Sequence, residues 1–144
     1  MEFDKILSIS GLGGLHQLKS SNKNGFFVEE IGNGKVRFIT DISNRVAALE
    51  NISIYTQDDA IAIAAIFAVM KDSGIEIPKP SSSANELKSY FEQILPDYDE
   101  ERVYVSDIKK VIKWYHILDG EKVDFAEVAK AQQEAEEQAR QAQA

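Results

Sequence analysis

A chain of 144 residues with 44% hydrophobic side chains is long enough for one ordinary domain, or two very small ones, with a real apolar core. Acidic residues outnumber basic ones by 24 to 16, and a net charge of −8 makes the whole protein a poor nucleic-acid binder, because that affinity leans on neutralising phosphates. With no cysteine there is no disulfide, thiolate nucleophile, iron–sulfur cluster or cysteine–zinc site.

The N-terminus MEFDKILSISGLGG starts acidic and has no long apolar run, so a signal peptide is not expected. The longest apolar stretch, Ala60 to Met70, is too short to span a membrane, and a cytoplasmic protein without membrane contact is expected. Charge is uneven along the chain. Residues 1–57 carry six basic and six acidic side chains, so this segment alone stays open to an anionic partner.

The first 56 residues read as β structure. Phe3 to Ile9 suits either a short helix or a first strand, and Gly11, Gly13 and Gly14 end it. Four strand-like runs follow: Leu15–Ser20, Gly25–Ile31, Lys35–Thr40 and Asn51–Tyr55. Their separators, residues 21–24 and 32–34, are rich in residues that tolerate positive φ, and Asn33-Gly34 is a strong hairpin signal. In the third run Val36 and Phe38 alternate with Lys35 and Arg37, a half-buried pattern with the apolar pair inside. Ser43–Glu50 is helix-prone and predicts a single turn before the last strand. Short strands on tight turns in so short a chain predict a small closed barrel of SH3-like type.

From residue 57 the pattern is helical. Thr56-Gln57-Asp58-Asp59 has capping spacing and predicts a helix to about Asp72, stopping near Gly74. Ala60–Met70, apolar on nearly every side, predicts burial between two layers. Ile75–Ser83 reads as a linker, and Ser83-Ala84-Asn85-Glu86 caps a second helix that ends before Pro96. An acidic loop, residues 97–101, precedes an extended Val103–Val105 and a third helix capped by Ser106 and running to about Leu118. Residues 121–144 hold good helix formers but little to bury after Phe125 and Val128, which predicts a frayed helix or disordered tail. The fold expected is therefore α+β: an SH3-like barrel over 1–56, a three-helix module over 57–120 and the tail.

Motifs for chemistry are sparse. Gly11-Leu12-Gly13-Gly14 lacks the rest of a phosphate loop and reads as a turn. His16 and His116 have no neighbouring ligand pattern, and no Ser/His/Asp arrangement can be placed around them. The acidic run opens like a calcium loop but has Arg102 where glycine is required and Ile108 where glutamate is required. No cofactor and no enzymatic site is expected. One feature stands above this background: the third helix places Ile108, Val111, Ile112, Tyr115 and Leu118 on one stripe and Lys109, Lys110, Lys113 and His116 opposite, with Trp114 at the border. A basic face beside an aromatic suits phosphates or an acidic partner.

Two long runs carry a resemblance. Residues 5–11 (KILSISG), Gly14-Leu15, Arg45-Val46 with Ala48-Leu49-Glu50, and residues 52–56 (ISIYT) resemble the N-terminal half of a bacterial family of small proteins of unknown function. Residues 95–99 (LPDYD), 102–111 (RVYVSDIKKV) and 113–115 (KWY) resemble its C-terminal half. The chain departs from that pattern at Leu12-Gly13 and over residues 60–66. The resemblance implies no catalytic or binding residues. The expected function is a non-enzymatic binding or adaptor protein acting on another protein. The alternative is an RNA- or ribosome-associated protein using Lys19, Lys23, Lys35 and Arg37 near the barrel turns and the face formed by Lys109, Lys110, Lys113 and Trp114.

Overall fold

The structure, a computed structural model, describes residues 2–40 and 45–143. A 3-10 turn, Phe3–Lys5, leads into β1 (Ile6–Ile9), and β2 (His16–Asn22), β3 (Gly25–Glu30) and β4 (Val36–Ile39) continue as an antiparallel meander. β5 (Val46–Ala48) returns to the free side of β1, giving the order β4-β3-β2-β1-β5. The turns work as their residue types dictate. Asn22 Oδ1 accepts from the backbone of Asn24 and Gly25, Asn33 Oδ1 accepts from Lys35 N at 2.8 Å, and Gly34 takes the left-handed conformation (φ 74°) that other residues avoid.

Three expectations for this half are corrected. The sheet is open: β4 and β5 are its outer strands, with no ladder between them among the described residues. At four and three residues they are too short to wrap and meet. Of the segment expected to form a helical turn, Val46–Ala48 is a strand and Ser43 and Asn44 lie outside the described residues. The single turn falls later, at Leu49–Asn51, and the strand after it leaves the sheet.

That strand, β6 (Ser53–Tyr55), pairs with β7 (Ala60–Ala62) in a separate hairpin. Thr56 and Asp59 close the hairpin. Thr56 N donates to Asp59 O at 2.6 Å, and Asp59 N donates to Thr56 Oγ1 at 3.0 Å. The spacing read as a helix cap thus serves a β turn, and helix α1 (Ile63–Asp72) begins four residues later than Asp59. Ile63, Ala64, Ile66, Phe67 and Met70 are buried, while Val69 faces solvent, so the apolar stretch is interior on most of its circumference.

Helix α2 (Ala84–Ile94) is capped by Ser83, whose Oγ accepts from Glu86 N, and it stops before Pro96 as expected. Helix α3 (Val105–Gly120) starts one residue before the expected cap: Tyr104 is the N-cap, and Asp107 Oδ2 accepts from Tyr104 N at 2.9 Å. Val105 is therefore helical, not extended. Of the two alternatives for residues 121–144, a frayed helix or a disordered tail, the segment takes the helical one as α4 (Phe125–Gln143), so the helical part has four helices rather than three. One ring anchors its start. Phe125 is 2% exposed and stacks on Tyr115 (4.9 Å, 20°) and against Phe67 (5.5 Å).

Two apolar cores result. Leu7, Ile9, Val28 and Ile39 fill the concave face of the sheet. The larger core joins Ile6, Leu15 and Leu49 to the hairpin and all four helices. β1 thus feeds both, because successive side chains on a strand point to opposite faces.

Candidate functional site

The α3 stripe falls as its periodicity dictates: Ile108, Val111, Ile112, Tyr115 and Leu118 are buried, and Lys109, Lys110 and Lys113 are exposed. Of the two ring residues expected on or beside the basic face, His116 is exposed with the lysines and Trp114 is buried. Trp114, at 8% exposure, belongs to the core and offers no ring for stacking. His116 Nε2 lies 3.0 Å from Pro78 O and ties the 75–83 linker to α3. Lys113 instead reaches the β1–β2 turn, its Nζ 3.8 Å from where a Cβ on Gly13 would stand. The basic face abuts the sheet, but without the Trp114 ring.

The four basic residues around the turns of the sheet are not gathered into one site. The 21–24 and 32–34 turns sit at opposite ends of β3, about 20 Å apart for six residues of strand. Lys23 and Lys35, both exposed, therefore face different ends. Lys19 Nζ is 3.0 Å from Glu29 Oε2, which neutralises it locally. Arg37 points inward: it pairs in register with Val28, and its Nε is buried without a hydrogen-bond partner.

The β4 alternation is correct in period and inverted in direction. Val36 is 60% exposed and Phe38 42% exposed, while Arg37 and Ile39 take the concave side. Phe27, 40% exposed, stands opposite Phe38 in the register with ring centroids 4.9 Å apart. Phe38 also lies across Gly25, where a Cβ would come within 3.0 Å of Phe38 Cζ and 2.2 Å of Ile39 O. The result is a solvent-facing aromatic pair, held in place, beside Val36 and the neutral Lys19–Glu29 pair. β4 has a ladder only with β3 among the described residues, so its other edge is unpaired.

On the concave side His16, Glu30 and Arg37 approach one another. His16 is fully buried, neither ring nitrogen has a hydrogen-bond partner, and Glu30 Oε1 is 3.9 Å away. Burial holds the imidazole below its ordinary pKa; Glu30 opposes this and Arg37 adds to it. Glu30 also lines a cleft of about 240 Å³ with Gln17, Glu29, Ile31 and Glu121, and among the described residues no cluster of three or more His, Asp or Glu is placed to hold a metal.

The acidic loop is a structural turn. Asp99 accepts from Arg102 Nε at 2.7 Å and from Glu101 N, and the Arg102 contact holds its carboxyl below the usual range. Arg102 also lies 4.4 Å over the Tyr55 ring and reaches Thr56 O, pinning the loop to the β6–β7 hairpin. Among the described residues no helix is long and apolar enough to cross a membrane.

The aromatic pair was missed by sequence reading because alternation reports which residues share a face, not which face is covered. The adjacent signal was available in the run Gly25-Phe26-Phe27, where two aromatics in succession must put one ring on each face.

Comparison with known proteins matches two family models in order. Residues 3–49 match a domain of unknown function, DUF5606, and residues 52–118 match a second domain of unknown function, DUF6852. A structural-genomics solution NMR structure from Bacteroides vulgatus is similar at 35% identity and a TM-score of 0.68, over 86% of this chain and 91% of that one. No curated protein matches.

Proposed function

The chain belongs to this two-part family of domains of unknown function, and we propose that it is a non-enzymatic binding module that engages an extended apolar segment of a partner protein along β4. The strand order, a meander whose last strand returns to the first, is how an SH3-like barrel is wound, and we read the open sheet as an unclosed barrel of that type. The observation that carries the reading is the exposed Phe27–Phe38 pair beside a strand edge with no ladder among the described residues. An added strand would take hydrogen bonds from the edge and set alternate side chains on the rings. Two features favour protein over RNA. The aromatic face is electrically neutral, and Trp114, the aromatic ring bordering the lysines of α3, is buried, whereas single-stranded nucleic acid calls for charge and stacking in one place.

The test is crosslinked affinity purification with and without RNase, comparing wild type with Phe27→Ser/Phe38→Ser and with Lys109→Glu/Lys110→Glu/Lys113→Glu. An RNase-insensitive protein lost from the phenylalanine variant and retained by the lysine variant supports the reading. Partners that vanish with RNase, or that survive the phenylalanine changes, refute it.

A further inference from the structure

A second surface, remote in chemistry from the aromatic face, lies where the N-terminal turn meets α4. Phe3 comes from the 3-10 turn, and Val128, Ala131 and Ala135 line a cleft of about 460 Å³ against it. These three α4 residues stand at i, i+3 and i+7, one stripe about 10 Å long over two helical turns. Alanine at two of them leaves the gap open, so another helix can approach closely. Each ionisable residue in the lining is acidic: Glu2, Asp4, Glu50 and Glu127. They come from three separate stretches of chain and surround the apolar stripe. Lys5 is 3.0 Å from Glu2 and partly offsets it, while Lys130 and Arg140 lie on α4 outside the lining. Beyond the cleft α4 continues with the exposed Glu134, Glu136 and Glu137, which extends the negative field.

The cleft is a built feature of the fold. Gln132 Nε2 donates to Glu50 O at 2.7 Å, fixing α4 against the Leu49–Asn51 turn, and Phe125 anchors the start of the helix. Gln132 Oε1 is left buried without a partner, an acceptor at the edge of the same cleft.

We infer that this cleft receives a basic amphipathic helix of a partner protein, its aliphatic side chains between Phe3 and the Val128–Ala131–Ala135 stripe and its Lys or Arg residues against Glu2, Asp4, Glu50 and Glu127. Charge complementarity selects the occupant: a purely apolar segment leaves Asp4, Glu50 and Glu127 unmatched, and an acidic one is repelled. The two-turn stripe selects a helix over an extended strand. The inference does not depend on the reading of β4.

The test uses short synthetic peptides with the intact chain: a Leu/Lys amphipathic helix, its Leu/Glu counterpart, and a Lys/Ser peptide of equal charge without an apolar face. Binding is measured by fluorescence anisotropy and mapped by amide chemical shifts. The Leu/Lys peptide is expected to bind, with shifts confined to residues 2–4, 50 and 127–135. Affinity should fall about tenfold or more in Glu50→Lys/Glu127→Lys, and similarly in Ala131→Arg, which fills the cleft without touching the core. Phe27→Ser/Phe38→Ser should leave it unchanged, which separates this inference from the β4 reading. Equal binding of the Lys/Ser peptide, shifts centred elsewhere, or indifference to both cleft variants would overturn it. So would self-association by sedimentation that Ala131→Arg abolishes, since a second copy would then be the occupant.

Discussion

His16 is the residue whose replacement tests the electrostatic account most directly. Its imidazole is fully buried and neither nitrogen has a hydrogen-bond partner within the protein, Glu30 Oε1 standing 3.9 Å away. An unsatisfied buried polar group costs about 1–3 kcal/mol. His16→Leu conserves volume closely enough that repacking should cost under about 1.5 kcal/mol against Leu7 and Val28. The net expectation at pH 7.5 is a gain of about 1 kcal/mol. The variant should also change the acid response. Because burial lowers the folded-state pKa below the ordinary histidine value of 6.5, both states are neutral well above that value and His16 adds no pH dependence there. As pH falls from 6.5 toward the folded value, the unfolded chain binds the proton first, and wild-type stability drops by up to about 1.4 kcal/mol per pH unit. His16→Leu removes that slope and leaves only the carboxylate contribution common to both proteins. Urea unfolding at pH 7.5, 6.5 and 5.5 reads the difference. A variant less stable than wild type at pH 7.5, or one with the wild-type slope between 6.5 and 5.5, would refute the reasoning.

Phe125→Ala should destabilise the protein by about 3–5 kcal/mol, because it empties the ring site between Tyr115 and Phe67. Hydrogen exchange should then show the protection of residues 125–132 lost; in wild type, protection should be high there and low beyond Gln133. Gly25→Ala should cost about 1–3 kcal/mol, measured by chemical denaturation, since its Cβ would meet Ile39 O at 2.2 Å. Lys109→Glu/Lys110→Glu/Lys113→Glu should leave the fold intact, with each change worth within about 0.5 kcal/mol, as expected for exposed side chains; a collapse of the thermal transition would mean that Lys113 over Gly13 is structural.

What could be read from the sequence was what local chemistry decides. Ser83 capping α2, the i, i+3, i+4 stripe of α3, and the Asn33-Gly34 hairpin each need only neighbouring residues, and each stands where expected. What could not be read was decided at a distance. Thr56 and Asp59 have the same spacing in a helix cap and in a hairpin turn, and the pairing of Tyr55 with Ala60 settles which one forms. Val36 and Phe38 face outward because Val28 and Ile39 already occupy the concave side. Trp114 lies inward, and α4 is held by Phe125, lodged between two other rings, and by Gln132 on Glu50 O; no composition count of an Ala/Glu/Gln segment reveals those contacts. The lysine face was legible as a face, but its aromatic companion was not where the helical wheel suggested.

The two matched family segments, 3–49 and 52–118, abut at a turn whose Leu49 is fully buried, and Ile6 and Leu15 share that interior with Phe125. On a ribosome the sheet therefore emerges with one side finished and the other bare. At roughly 5–20 residues per second, Phe125 follows Leu49 by roughly 4–15 seconds. Over that interval the hairpin and α1 to α3 arrive to cover Ile6, Leu15 and Leu49, and Phe125 is the last residue of the shared interior to be made.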